Sequence, residues 1–194
     1  MSSRLSSSRI RIAGAVLVSA VLIVVLAVLA LQRSSAPPTA EATPQSQASG
    51  PESMAAVGDV VAAVEATSTD GRAVTVPGAQ PTVLFFMATW CSPCLKEAQA
   101  LAAVEEDYAG RVQFLAVNVT PGDTPAAVEE FRLAAGNPAH PYVTDDQGAF
   151  VERYAITALD TTVVVDADGR VQGRIDARSL DEPQLRRLID TSLS

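Results

Sequence analysis

Hydrophobic and polar positions divide the chain into an apolar run, a polar proline-rich stretch and a longer region of mixed pattern. Residues 12–31 form an uninterrupted run of 20 residues without a charged side chain. A helix of that length is about 30 Å long, which matches the hydrocarbon thickness of a bilayer. Residues 32–57 combine four prolines with Ser, Thr, Ala and Gln and lack apolar periodicity. They are therefore predicted to be a flexible linker before a folded domain at 58–194.

Within residues 58–194, short apolar runs alternate with amphipathic stretches. Apolar residues predict strands at 60–64, 82–87, 112–117 and 142–144. The turns at Asp70–Gly71 and Asp168–Gly169 predict further strands at 74–76 and, on either side of the second turn, at 161–166 and 171–175. Periodic spacing and capping residues predict helices at 93–107, 125–135, 148–154 and from the cap Asp181 to residue 192. The run at 82–87 is apolar throughout, which is typical of a central strand buried on both faces. The alternation predicts an α/β domain with a central mixed sheet and helices on both faces.

Charged residues around the apolar run predict its orientation. Three arginines precede the run, and one, Arg33, follows it closely. Because positive charge favours the cytoplasmic side, residues 1–11 are expected in the cytoplasm and residues 58–194 outside the cell membrane. Residues 12–31 would then be a single-pass transmembrane helix that anchors the protein in the lipid bilayer. A cleaved signal peptide is the alternative, although the run is long for one.

Composition and charge argue against several classes of protein. The formal net charge is -8 and the sequence pI is about 4.6, so binding to nucleic acid is not expected. Two cysteines are too few for a multi-disulfide scaffold, and with a single histidine they cannot complete a closed four-ligand zinc site. Neither glycine motif of nucleotide-binding sites is present. No metal and no other cofactor is expected.

The two cysteines carry the candidate chemistry. Cys91 and Cys94 lie between the predicted central strand and the first predicted helix. Unpaired N–H groups and the dipole at a helix start favour a thiolate at Cys91. Cys94 follows one turn later on the same face, within reach of a disulfide. The spacing predicts that Cys91 attacks a substrate disulfide and that Cys94 resolves the resulting mixed disulfide. A permanent structural disulfide and half of a metal site are the alternatives.

The segment 86–94, FMATWCSPC, resembles the F-W-A-x-W-C-x-P-C signature of the thioredoxin superfamily, in particular its membrane-anchored TlpA/ResA branch. Glu97 matches a glutamate that this branch often carries three residues past the second cysteine, and 154–169 resembles a later motif of the branch. The resemblance covers roughly residues 58–194 and implies a thioredoxin-like fold. It also implies a thiol–disulfide oxidoreductase outside the membrane, with protein thiols or disulfides as substrates and a membrane electron carrier as redox partner. Several such proteins act as reductases in cytochrome c maturation.

Three positions depart from the family pattern. Asp160 occupies the place of a cis-proline that packs against the cysteine pair in the family, Phe85 replaces the buried acid of thioredoxin, and Gln99 replaces a helix-kinking proline. The first change leaves the state of the Leu159–Asp160 peptide open. The second removes the usual base for the second thiol. With this alignment the Asp160 carboxylate lies near the sulfurs and raises the pKa of the thiol that it faces. A simple turn residue is the alternative for Asp160.

Six residues are candidates for supporting the cysteine pair. They are Trp90, Ser92, Pro93, Glu97, Asp160 and Thr161. Trp90 is interpreted either as a core residue or as an aromatic that shapes substrate docking. Glu97 is expected to be a solvated helix residue, with a proton relay as the alternative, and His140 is expected to lie exposed in a loop. Two other functions remain open: a thiolate metal-binding module similar to a copper chaperone, and an inert thioredoxin-like scaffold.

Overall fold

The computed structural model describes residues 55–194. The predicted cytoplasmic segment 1–11, the predicted transmembrane helix 12–31 and all but the last residues of the predicted linker 32–57 lie outside the described residues. Between residues 55 and 194, no helix is long and apolar enough to cross a membrane.

Seven strands form two sheets in the described region. The strands are β1 (Val64–Thr67), β2 (Ala73–Val76), β3 (Thr82–Met87), β4 (Gln113–Asn118), β5 (Tyr142–Thr144), β6 (Thr161–Val165) and β7 (Val171–Ile175). β1 and β2 form an antiparallel pair, and the five-stranded sheet has the order β5-β4-β3-β6-β7. β3, β4 and β5 are parallel, whereas β6 runs antiparallel to both β3 and β7. The predicted mixed sheet is confirmed.

The first strand begins later than the apolar pattern predicts. A strand was expected at 60–64, but Val60 makes only an isolated bridge with Arg170. β1 instead starts at Val64, which pairs with Val76 across the hairpin. The start of β1 is therefore set by its pairing with β2 across the turn, and not by the apolar run at 60–64.

Four α-helices accompany the sheet among residues 55–194. They are α1 (Ser92–Val104), α2 (Pro125–Ala134), α3 (Ala149–Arg153) and α4 (Glu182–Ser192). α1 ends before the predicted residue 107 because Glu105–Tyr108 tighten into a 3-10 helix. The predicted caps are confirmed. The Thr124 hydroxyl accepts a hydrogen bond from a main-chain N–H of the first turn of α2, and Asp181 forms a capping box at α4.

The central sheet separates two apolar layers. Val83, Phe85 and Met87 of β3 pack on the side of α1, α2 and α4. Leu84 and Phe86 face α3 and the β1–β2 hairpin on the opposite side. All six residues of β3 are buried, which confirms the prediction of a strand covered on both faces. One face of the sheet thus carries three helices, and a short helix and a hairpin cover the other.

The centre of the sheet positions the site. β3 ends at Met87, and the chain then turns into α1 at Cys91. β6 begins beside that same end of β3, because Phe86 pairs with Thr161 in the antiparallel register. The cysteine motif and the segment before β6 therefore meet at one edge of the sheet.

Candidate active site

The two cysteines form a disulfide at the start of α1. Their Cα atoms are 5.2 Å apart, and Cys91 is the N-cap residue of the helix. The sulfur of Cys91 accepts a hydrogen bond from the main-chain N–H of Cys94 at 3.3 Å. Cys91 is 8% exposed, whereas Cys94 is completely buried. Of the two sulfur-bearing residues, Cys91 is thus the one that solvent or a substrate can reach.

Trp90 stands beside the disulfide with 69% of its surface exposed, so it is not a core residue. The preceding residue holds this loop to the sheet, because the Thr89 hydroxyl donates to the Asp123 carboxylate at 2.8 Å. The same carboxylate oxygen accepts from the amide of Asn118, at the end of β4, at 3.2 Å. Sequence reasoning missed Asp123, because no local pattern marks a contact that spans 34 residues.

Other candidate residues support the main chain around the motif. Ser92 and Pro93 form the exposed first turn of α1. Ser179, which sequence reasoning also missed, donates its hydroxyl to the Pro93 carbonyl at 3.1 Å. Thr161 is fully buried and donates its hydroxyl to the Ala158 carbonyl at 3.0 Å. The bonds of Ser179 and Thr161 fix the loops that surround the disulfide.

Glu97 lies three residues after Cys94 on α1 and is completely buried. The expectation of a solvated side chain is therefore wrong. One carboxylate oxygen accepts a short hydrogen bond from the Thr162 hydroxyl, and the other accepts from the Leu180 N–H at 2.9 Å. Burial raises the pKa of Glu97 to about 8, and these two hydrogen bonds only partly oppose the rise. Glu97 is thus a carboxyl group that can hold or release a proton near neutral pH.

Asp160 is 6% exposed and takes the left-handed backbone conformation, with φ of 61°. Its N–H donates to the carbonyl of Phe86 in β3 at 3.1 Å, a bond that a proline cannot make. Among residues 55–194, Val76–Pro77 is the cis peptide bond, so the Leu159–Asp160 peptide is trans. Burial raises the pKa of the Asp160 carboxyl, which lies beside the side chains of Glu97 and Ser179.

His140 lies apart from this site. It directly precedes Pro141 and β5, at the end of the sheet opposite to the cysteines. The expectation of an exposed loop residue is wrong, because His140 is 7% exposed and stacks on Tyr142. Its Nδ1 lies 2.6 Å from a carboxylate oxygen of Glu105, whose charge makes this burial tolerable.

No group of three His, Cys, Asp or Glu side chains in the described part of the chain is arranged to hold a metal ion. The two sulfurs, which the metal-binding alternative would need as ligands, are bonded to each other.

Comparison with known proteins identifies the family. Residues 57–174 match the family model of AhpC/TSA. The chain belongs to the AhpC/TSA family. A relative, the mercury resistance operon ORF3 protein of Streptomyces lividans, is 33% identical over 145 residues, which cover 73% of this chain and 74% of the relative. Sporulation thiol-disulfide oxidoreductase A of Bacillus subtilis is 25% identical over 119 residues, which cover 58% of this chain and 72% of that relative.

Further relatives and solved structures are similar to this chain. The thiol-disulfide oxidoreductase ResA of Bacillus subtilis is 29% identical over 106 residues, covering 53% of this chain and 58% of ResA. The crystal structure of StoA from Bacillus subtilis matches with a TM-score of 0.59 and 23% identity, covering 67% of this chain and 98% of StoA. The predicted thioredoxin-like fold and the resemblance to the TlpA/ResA branch are confirmed. The protein is a thioredoxin-like thiol–disulfide oxidoreductase of the ResA and StoA type.

Proposed function

We propose that the protein reduces disulfide bonds of exported proteins outside the cytoplasmic membrane. The observation that carries this proposal is the Cys91–Cys94 disulfide at the start of α1, with Cys91 partly accessible and Cys94 buried. A helix start stabilises the thiolate of Cys91 in the reduced protein, and the accessible thiolate is the better placed attacking group. Exposed Trp90 gives a substrate chain an apolar surface beside that sulfur.

The proposed reaction is two thiol–disulfide exchanges. The Cys91 thiolate attacks one sulfur of the substrate disulfide, and the other substrate sulfur leaves with the electron pair of the broken bond and takes a proton from water. The Cys94 thiol then loses its proton and attacks the Cys91 sulfur, which releases the second substrate sulfur. Two electrons pass from the enzyme dithiol to the substrate. A membrane electron carrier would return the protein to its dithiol form.

Glu97 is the proposed acceptor of the proton of Cys94. Both side chains are buried, and a spacing of three residues places them on the same face of α1. The Glu97 carboxylate is hydrogen-bonded to Thr162, which pairs with Phe85 in the register of β3 and β6. Cross-strand partners lie on the same face of a sheet. A carboxyl from α1 therefore reaches the neighbourhood in which Phe85 replaces the buried acid of thioredoxin.

The proposed location rests on the apolar run 12–31 and the arginines before it. Residues 32–57 would tether the domain at 58–194 to the outer face of the membrane. One protein of similar fold, 22% identical, is described as a secreted disulfide oxidoreductase of Mycobacterium tuberculosis that is homologous to DsbE. A role in cytochrome c maturation, as in several proteins of the branch, is the finer part of the proposal.

Location is tested by adding protease to spheroplasts that express the full-length chain. We expect loss of the domain and retention of a short membrane-bound fragment. A full-length protein that stays protected until the cells are lysed contradicts the proposed topology.

The cysteine roles are tested by trapping mixed disulfides in the same cells. Cys94→Ser leaves the attacking thiol without its resolving partner, so we expect it to accumulate mixed disulfides with exported proteins. Cys91→Ser is the matched control and should accumulate none. Trapping by Cys91→Ser alone would show that the roles are reversed. Failure of the purified wild-type protein to reduce protein disulfides contradicts the proposed reaction itself.

A further inference from the structure

The carboxyl of Asp160 contains a buried acceptor without a partner. Its Oδ1 atom is shielded from solvent and accepts no hydrogen bond from any described residue. A buried carboxylate oxygen in that state is costly, since it has lost its bonds to water without replacement. The neighbouring group is the carboxyl of Glu97, which is itself completely buried. A single proton between the two carboxyls would provide the missing hydrogen bond.

The surroundings of the two carboxyls supply no compensating positive charge. From β6 the pair faces the Thr162 hydroxyl, and from the loop before α4 it faces the Leu180 N–H and the Ser179 hydroxyl. Charged side chains near these elements belong to Lys96, Arg178 and Asp181. All three are exposed, and none donates a side-chain hydrogen bond to the pair among the contacts of residues 55–194. Two adjacent negative charges in such surroundings repel each other, which favours retention of one proton.

We propose that Glu97 and Asp160 share one proton while Cys91 and Cys94 form a disulfide, and that Asp160 acts as a positioning residue that keeps this proton available to Cys94. This inference rests on the proposed function of the cysteine pair. The geometry that supports it is the shared face of α1 for Cys94 and Glu97, together with the place of Asp160 at the end of β3 that leads into the motif.

The proton enters the reaction when the disulfide is opened. A thiolate of the electron donor attacks the Cys91 sulfur, the bond between Cys91 and Cys94 breaks, and the Cys94 sulfur leaves with the electron pair. The Cys94 thiolate takes the shared proton, and the two carboxylates left behind regain a proton from solvent. In the opposite direction, the pair first releases its proton to solvent and then accepts the proton of Cys94 as its thiol attacks. Each direction transfers two electrons between a dithiol and a disulfide, so no further oxidant is needed.

The test measures how fast dithiothreitol opens the disulfide of the full-length protein between pH 5 and 9. Each rate constant is divided by the fraction of dithiothreitol present as thiolate, so that the remaining pH dependence belongs to the protein. We expect the normalised rate constant to fall as the pair loses its proton. In Asp160→Asn the fall should move to lower pH by about one unit or more, because removal of the neighbouring negative charge favours ionised Glu97.

Two features keep this test interpretable. Asparagine tolerates the left-handed conformation at position 160, so Asp160→Asn is expected to fold. Asp168→Asn is the matched control, since Asp168 is an exposed turn residue and the change also removes one negative charge. Infrared spectra of the wild-type disulfide form provide a measurement that needs no variant, because a protonated carboxyl has its own C=O band. We expect that band to persist at pH 6 and to disappear as the normalised rate constant falls.

Three results would overturn the shared proton. They are the absence of a protonated-carboxyl band in the wild-type protein at pH 6, a rate constant that falls at the same pH in Asp160→Asn as in the wild type, and an equally large shift of that pH in Asp168→Asn. None of these measurements uses a protein substrate. If the pH dependence shifts in Asp160→Asn but exported proteins are not reduced, the proposed function fails and the carboxyl pair stands. If exported proteins are reduced but the pH dependence does not shift in Asp160→Asn, the shared proton is refuted and the proposed function stands.

Discussion

Replacement of Glu97 by glutamine tests the energetic consequence of its burial. Glu97→Gln keeps the shape of the side chain and can still accept the hydrogen bond from Thr162, but it cannot ionise. Glu106→Gln is the matched control, because Glu106 is exposed in the 3-10 helix after α1 and makes no side-chain hydrogen bond in the described structure. Any difference between the two variants then reports on burial.

The expected magnitude follows from the raised pKa of Glu97. Its pKa is about 8 in the folded protein, against 4.5 for an ordinary glutamate, and each unit corresponds to about 1.36 kcal/mol. Because the folded state binds the proton more tightly than the unfolded state, the stabilisation is fully present below the unfolded pKa. It is lost as the pH rises through the folded pKa. From a pH well below the unfolded pKa to one well above the folded pKa, the loss of stability is about 5 kcal/mol, and between pH 5 and 8 it is about 4 kcal/mol.

Urea unfolding of the oxidised full-length protein, followed by circular dichroism at pH 5 and pH 8, measures this loss. We expect the free energy of unfolding of Glu97→Gln, relative to the wild-type protein, to increase by about 3–4 kcal/mol from pH 5 to pH 8. The same comparison for Glu106→Gln should change by less than about 0.5 kcal/mol. A relative stability of Glu97→Gln that is the same at both pH values refutes a raised pKa and, with it, the energetic reasoning for Glu97.

Three further predictions concern other contacts of the domain. Thr89→Val removes the hydrogen bond to Asp123, so urea unfolding should show a loss of about 1–2 kcal/mol in stability. We also expect a several-fold higher KM for a protein disulfide and an unchanged rate with a small disulfide. Although burial opposes it, the hydrogen bond from His140 lowers the pKa of Glu105. The stability advantage of the wild-type protein over Glu105→Gln should therefore be present at neutral pH and disappear as acid protonates Glu105, which acid titration of unfolding measures. Asp160→Pro loses a main-chain hydrogen bond and cannot adopt φ of 61°, so it should lower the free energy of unfolding by about 3 kcal/mol or more, whereas unchanged stability would contradict the left-handed backbone.

Elements fixed by local chemistry were predictable from the sequence. The bounds of β3, β5 and β7 agree with the predicted strands. β3 is predominantly apolar, and β7 follows the turn at Asp168–Gly169. The cap at Thr124 follows from the adjacent Pro125, and the cap at Asp181 from Gln184 three residues later, so neither needs knowledge of the remaining fold. The cysteine pair belongs to the same class, because a strand, a short motif and a helix start are contiguous in the chain.

Burial of ionisable side chains was not predictable in this way. Glu97 is buried by partners 65 and 83 residues away, and His140 by a glutamate 35 residues away. Sequence rules place such side chains in water, because an unpartnered buried charge is costly. The partners that remove the cost become visible only when the sheet brings β6 and the loop before α4 against α1. The hydrogen bond from Thr89, next to Trp90, to Asp123 escaped prediction for the same reason.

The departures at positions 85 and 160 are related through the pairing of β3 with β6. Phe85 fills the apolar layer and its cross-strand partner Thr162 donates to Glu97, so an acid reaches this neighbourhood from α1 and not from the strand. Asp160, next to β6, gains an N–H that lengthens the β3–β6 ladder and a carboxyl that lies beside Glu97. Chemistry at Cys94 requires a group that exchanges a proton within reach of its sulfur, and several backbone positions can supply that group. Loss of the acid from strand β3 therefore leaves the proposed reaction possible, because the buried Glu97 carboxyl can exchange a proton with Cys94 in its place.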